Sequence, residues 1–220
     1  MSVSLDGIST VLLDVDGTLV DSNYLHAVCW WEAFAEHGVA RPTADLHRLI
    51  GMESDRLIDS ALSDAQVSKQ LRADLKSRHG ELYREHWPRL RALPGARTLL
   101  HHLATRGITT ALASSAPEDE LEALRKALDA DDWIDHVTTG DDAESGKPAP
   151  DLVHEALAKA GSRPEEALMV GDSLWDAAAA QRAGVGFVGV TCGGTPAVDL
   201  QEAGALAVFD DPAFLLAHLA

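Results

Sequence analysis

Short apolar runs, continuous rather than alternating and each closed by turn or polar residues, constrain this chain more than any other feature. Ser9 to Leu13, Ile108 to Ala113, Ala167 to Val170, Gly186 to Thr191 and Leu206 to Phe209 have this form, and His136 to Thr139 is a further candidate. A strand buried on both faces of a parallel sheet needs apolar side chains at nearly every position, whereas a half-exposed strand alternates. Helical periodicity fills the intervals at 95–106, 117–128, 150–160, 174–183 and 198–203. Strands alternating with helices predict an α/β fold, a doubly wound parallel sheet with right-handed crossovers.

Residues 22–92 break the alternation. Leu25, Val28, Trp31 and Ala35 have the spacing of one amphipathic helix, with Gly38 as its stop. Val67, Leu71, Leu75, His79, Leu82 and His86 recur every three or four residues, as along one long helix. Pro88 and Pro94 mark the return to the α/β pattern. The expected division is a core of residues 1–21 and 93–220 carrying an all-helical insertion at 22–92, placed like a lid over the first strand's carboxyl end.

Composition narrows the partners. The 220 residues, 46% hydrophobic, suffice for a substantial core. Eighteen Lys and Arg against 35 Asp and Glu give a net charge of −17, a surface that repels phosphate backbones, so nucleic acid is not an expected partner. An anionic substrate would need a local positive site or a bound cation. Two cysteines, Cys29 and Cys192, fit neither a disulfide scaffold nor a zinc site. With no signal-peptide pattern and no apolar stretch of membrane-spanning length, the expectation is a cytoplasmic protein without a membrane partner, monomer or homodimer.

Open α/β sheets bind ligands beyond the carboxyl ends of their strands, so the residues after each run carry the chemistry. After the first run come Asp14, Val15, Asp16, Gly17 and Thr18. Side chains two apart on an extended segment point the same way, so Asp14 and Asp16 can share one site, and a divalent cation would relieve their repulsion. Asp172 comes just after the Ala167 to Val170 run and can add a carboxylate, or it or Ser173 caps the next helix. Asp176 lies one helical turn later, within reach of the same site. Ser114 and Ser115 come after the second run, where they either hold a phosphoryl oxygen or begin a helix. Lys147, before Pro148, either balances the carboxylates or lies on a surface loop.

Taken in order, DVDGT at residues 14–18, the strand-end Ser114, Lys147 in GKPAPD and Asp172 in GDSLWD resemble the four motifs of the haloacid dehalogenase superfamily. The resemblance spans the chain and is closest to the phosphoglycolate phosphatases and β-phosphoglucomutases, whose α-helical cap occupies the place of residues 22–92. It implies a Mg²⁺-dependent phosphatase acting on a small phosphorylated metabolite, a sugar phosphate or phosphoglycolate. Asp14 would be the nucleophile and Asp16 the general acid and base. Mg²⁺ would be held by Asp14, Asp172 and the Asp16 backbone carbonyl. Thr18, Ser114 and Lys147 would hold phosphoryl oxygens, and Asp176 would orient Lys147 or metal-bound water.

His26 stands where β-phosphoglucomutases carry a histidine that assists the general acid, and Trp30 also matches that group. Those mutases have a Lys-Gly pair where Ile50-Gly51 stands here, and Glu-Asp where this chain has Gly171-Asp172, so the mutase is the second reading. A dehalogenase would lack the Asp16 equivalent, and a non-catalytic binding protein on this fold would lack one of Asp14, Asp16 and Asp172. Arg48 and Arg56 are candidates to meet a substrate carboxylate or second phosphate, or else belong to solvated helix faces, and Trp30 and Trp31 are expected in the helical insertion's core. Gly184 to Gly189 matches a dinucleotide-binding pattern formally, but it comes after a helix and enters a strand, which is the wrong context. Gly140 to Lys147 fails as a phosphate-binding loop because Pro148 replaces the needed Ser or Thr.

Overall fold

The computed structural model describes residues 2–62 and 67–220, so residues 63–66 of the expected insertion lie outside the described part. Six parallel strands form one sheet in the order β3-β2-β1-β4-β5-β6. They are β1 Thr10–Leu13, β2 Thr109–Ala113, β3 His136–Thr138, β4 Ala167–Gly171, β5 Gly186–Val190 and β6 Ala207–Phe209. Each lies within one of the apolar runs, except that β4 extends one residue further to Gly171.

Side chains along the central strands sort alternately to two cores, which is why the runs are continuous. Val11, Leu13, Leu112, Leu168 and Val170 face one core, and Leu12, Ala111, Met169 and Phe187 the other. The first is covered by α5 (Ala96–Thr105), α6 (Glu118–Leu128) and α10 (Pro212–Leu216), through Leu99, Leu103, Leu121, Leu124 and Leu215. The second is covered by α7 (Asp151–Ala160), α8 (Leu174–Ala183) and α9 (Ala197–Glu202), through Leu152, Ala156, Ala180 and Leu200.

Between β1 and α5 the described helices are α1 Asn23–Glu36, α2 Thr43–His47, α3 Ser54–Leu62, α4 Lys69–Arg84 and a single 3₁₀ turn, Trp87–Arg89, with no strand of the sheet among them. The chain leaves and re-enters the sheet side by side. Asp21 N–H donates to the Arg91 carbonyl at 2.9 Å, and Leu93 N–H donates to the Leu19 carbonyl at 2.8 Å. The helices rest on the strand ends, with Glu53 N–H donating to the Lys147 carbonyl at 3.1 Å and Arg84 paired with Asp119 at 2.7 Å.

One helix face differs from expectation. Val28 and Trp31 of α1 are exposed, at 42% and 44%, while His26, Ala27, Cys29, Trp30, Ala33 and Phe34 are buried. Two apolar stripes compete on α1, and the one carrying Trp30 and Phe34 wins because it packs against α4. Trp31 is therefore a surface residue and Trp30 a core one. Among the described residues no helix is long and apolar enough to cross a membrane.

Candidate active site

β1 and β4 are neighbours at the point where the strand order reverses, and such a reversal opens a crevice at the strands' carboxyl ends. Asp14 stands at one lip, its N–H donating to the Val170 carbonyl at 2.9 Å, and Asp172 stands at the other. Two glycines let backbone close around Asp172. Gly17, at φ +73°, turns the chain after Asp16, and a Cβ there would lie 2.2 Å from Asn23 Nδ2 and 2.8 Å from Asp172 Oδ2. A Cβ on Gly193 would lie 1.8 Å from Asp172 Oδ2. No larger residue fits at either place without displacing the carboxylate.

Lys147 is 1% exposed and lies between two carboxylates, its Nζ 2.5 Å from Asp14 Oδ1 and 2.7 Å from Asp176 Oδ1. Burial works against its charge, but Asp14 and Asp176 outweigh burial and hold the ammonium above its usual pKa. Asp176 is fixed from its other oxygen, which accepts from Ser173 N–H at 3.1 Å and Ser173 Oγ at 2.6 Å, the capping box of α8. Helix capping and lysine placement are therefore done by one residue.

Asp14, Asp172 and Asp176 bring carboxylate oxygens within 4.8 Å of one another. Burial, with Asp176 next in weight, pushes the Asp14 carboxyl up to about 7 against the pull of Lys147. Burial and the neighbouring Asp14 and Asp176 carboxylates raise Asp172 well above its ordinary value. Asp172 itself receives only neutral donors, Thr18 Oγ1 at 3.1 Å and Asn23 Nδ2 at 2.8 Å. Three buried carboxylates around one ammonium leave a deficit of positive charge, and hard oxygen donors are the set that a hard divalent cation takes. The residues present fit such an ion.

The Asp16 carboxylate belongs to a different group. It accepts from Ser22 Oγ at 2.6 Å and lies 3.3 Å from His26 Nε2, and His26 Nε2 is also 3.6 Å from Glu120 Oε1. Burial opposes the charge on Asp16, but His26 and Ser22 hold its carboxyl below the ordinary range. Burial likewise opposes charge on His26, but Glu120 and Asp16 raise its pKa. Burial, with His26 adding to it, leaves His79 neutral, well below its ordinary pKa. His26 therefore faces an acceptor at each nitrogen, Asp16 at Nε2 and, at 3.1 Å, His79 Nε2 at Nδ1, and its protonated form donates to both. Aromatic stacking fixes the pair: His26 lies on Tyr83 at 3.7 Å and His79 on Trp30 at 4.1 Å between ring centres.

A cavity of about 180 Å³ opens beside Asp14 and Asp16. Asp14, Asp16 and His26 line it, Lys147 and Asp176 sit behind Asp14, and Thr18 Oγ1 bridges Asp14 at 3.3 Å and Asp172. Ser114 is buried at the end of β2 with its hydroxyl accepting from Ala116 N–H at 3.1 Å, and Ser115 is the serine that lines the cavity. Arg48 stands apart: it pairs with Asp45 at 3.8 Å and lines a separate cavity beyond α2. Arg56 pairs with Glu53 at 3.6 Å. Neither arginine is among the described residues lining the cavity at Asp14, because each helix turns that face to solvent.

Three contributors carry no sequence signal of their own. Asn23 reads as the first residue of a helix and Glu120 as one of three acids in a first helical turn, and His79 sits on an apolar stripe. The approach of α4 and α6 to α1 brings His79 and Glu120 to His26, and the start of α1 sets Asn23 against Asp172 and the Gly193 carbonyl.

Known proteins resemble this chain in sequence and fold. A family model of haloacid dehalogenase-like hydrolases matches residues 8–184. A phosphoglycolate phosphatase of Pasteurella multocida is 33% identical over 214 residues, covering 94% of this chain and 96% of that protein. A phosphorylated carbohydrates phosphatase of Thermotoga maritima is 31% identical over 202 residues, covering 90% of this chain and 92% of that protein. The crystal structure of a hydrolase from Pseudomonas syringae superposes with a TM-score of 0.91 at 35% identity, covering 96% and 97% of the two chains. A doubly wound sheet with its carboxylates at the reversal, matched by the family model over most of its length, makes this chain a member of the haloacid dehalogenase-like hydrolase family.

Proposed function

We propose that this protein hydrolyses the phosphate monoester of a small metabolite, a sugar phosphate or phosphoglycolate, through an aspartyl phosphate on Asp14 with Mg²⁺ as cofactor. The observation that carries the reading is the placement of Asp14: it lies against a buried lysine and beside a cavity, with a second, separately tuned carboxyl two residues on. The phosphatase names of the Pasteurella and Thermotoga relatives support the same reaction class.

In the first step an Asp14 oxygen attacks phosphorus and the alkoxide leaves with a proton from Asp16. Asp16 is held in its ionised form at rest, so the proton waits on His26, 3.3 Å away, and passes through Asp16 to the leaving oxygen. In the second step Asp16 takes a proton from water, which attacks phosphorus, releases phosphate and restores Asp14. Lys147 and Thr18 hold phosphoryl oxygens, with Ser114 and Ser115 beyond them at the end of β2, and Asp176 keeps Lys147 in place. When bound by Asp14, Asp172 and the Asp16 carbonyl, Mg²⁺ supplies positive charge against the transferring phosphoryl group. The described residues of 22–92 form the cap, joined to the described residues of a core of 1–21 and 93–220 by the paired segments of chain at Asp21 and Arg91, and closure excludes bulk water. The free thiols of Cys29 and Cys192, both pushed up to about 12 mainly by burial, suit a reducing cytoplasm.

The test is phosphate release from hexose, pentose and nucleoside monophosphates, phosphoglycolate and p-nitrophenyl phosphate, with Mg²⁺ and with a chelator. Release is expected only with Mg²⁺. Conversion to an isomeric phosphate without release would establish the mutase instead, and equal release in chelator would remove the metal from the account.

A further inference from the structure

The cavity at Asp14 also selects among the substrates of the proposed phosphatase, a selection that rests on that proposal. In phosphoglycolate one methylene separates the ester oxygen from the carboxylate. The carboxylate must therefore lie beside the groups that receive the leaving oxygen, namely Asp16 and its neighbours. Those neighbours are acidic or already engaged. Glu120 is 9% exposed, lines the cavity, and stands 3.6 Å from His26. His26 thus lies between Asp16 and Glu120, two carboxyl groups for one imidazole, and burial pushes the Glu120 carboxyl up to about 7, so that it carries its charge above that pH.

Among the described residues no other cation closes the gap. Among the described residues lining the cavity, Lys76 is the one lysine or arginine, and its Nζ is already 3.3 Å from Asp55 Oδ1. Arg48 and Arg56, the residues whose sequence positions suggest a carboxylate partner, face elsewhere. With Glu120 ionised, a second anion brought into this cavity would meet a like charge without compensation. An uncharged leaving group meets a suitable wall: apolar side chains from Trp30, Ile50, Met52 and Leu57 for C–H surfaces, and Ser54, Ser115 and Glu120 for hydroxyls.

We infer that the natural leaving group is an uncharged polyol, a sugar or cyclitol carrying a single phosphate, and that Glu120 is the specificity determinant that accepts its hydroxyls and turns carboxylates away. Glu120 bears on the proton transfer only through His26, an effect common to every substrate. Its effect on selection should therefore appear in the ratio between substrates, which a merely structural role would not move.

The experiment compares kcat/KM for hexose, pentose and inositol monophosphates with kcat/KM for phosphoglycolate in the wild type, Glu120→Gln and Lys76→Met, all with Mg²⁺. The wild type should favour its best polyol phosphate by at least about tenfold. Glu120→Gln, isosteric but uncharged, should narrow that ratio about fivefold or more, and Lys76→Met should change it less than about twofold. A wild type that favours phosphoglycolate, with selective loss of that activity in Lys76→Met, would overturn the inference by making Lys76 the carboxylate partner. An unchanged ratio in folded Glu120→Gln would remove Glu120 as the determinant. Should Glu120→Gln fail to fold, the wild-type ratio and the Lys76→Met arm still decide the substrate class. Absence of release from p-nitrophenyl phosphate as well would mark failure of the hydrolase reading itself, and this inference falls with it.

Discussion

Asp14→Asn is expected to lower Mg²⁺-dependent phosphate release at least about 10⁴-fold while leaving the fold intact. The amide keeps the shape of the side chain and an oxygen for Lys147, so the contact at 2.5 Å can persist. What it loses is the nucleophile. It also removes one of three mutually repelling carboxylates, the one that burial and then Asp176 push up to about 7, so thermal stability should be equal to or higher than that of the wild type. Circular dichroism melts beside phosphate assays separate the two effects. Retained turnover would exclude Asp14 as the attacking group, and loss of folding would make the carboxylate structural.

Lys147→Met should be damaging in both respects. The methionine fills most of the space but strands Asp14 and Asp176 without the ammonium that lies within 2.7 Å of both. Removing one partner of a buried ion pair costs about 3–5 kcal/mol, because an uncompensated charge stays behind. The Asp14 carboxyl would move further above about 7, leaving less of the ionised nucleophile at neutral pH. Turnover is expected to fall at least about 10³-fold, and the urea midpoint to drop, with partial recovery on adding Mg²⁺. A variant that unfolds at the wild-type denaturant concentration would show that Lys147 is not balancing the cluster.

The difference between legible and illegible residues comes from how each is positioned. Asp14, Ser114 and Asp172 each stand at the end of a buried apolar strand, so the strand pattern alone puts them at one edge of the sheet. Lys147 and Asp176 lie within a few residues of turn and cap signals that restrict where they can reach. Thr18 belongs to the same turn as Gly17. The sheet's order is not written in any single run, since each strand is apolar on both faces whichever neighbours it has. Residues that depend on helix docking are harder to read. Glu120 sits with Glu118 and Asp119 in one acidic first turn, and only the approach of α6 to His26 on α1 buries Glu120 rather than its neighbours. Periodicity on α1 supports two faces, and the buried one carries Trp30 while Trp31 faces solvent. Arg48 and Arg56 lie close in sequence to the loop at Gly51, yet the turns of α2 and α3 point them away from the cavity.

The most direct test of the mechanism is to catch phosphorus on Asp14. Acetyl phosphate or p-nitrophenyl phosphate is mixed with the Mg²⁺-loaded protein, turnover is stopped with borohydride, and peptides are mapped by mass spectrometry. Borohydride reduces an acyl phosphate to the alcohol, so the predicted result is homoserine at position 14 in the wild type and none in Asp14→Asn. Phosphate release at the normal rate with residue 14 unmodified, or homoserine at another aspartate, would contradict the aspartyl-phosphate mechanism at its centre.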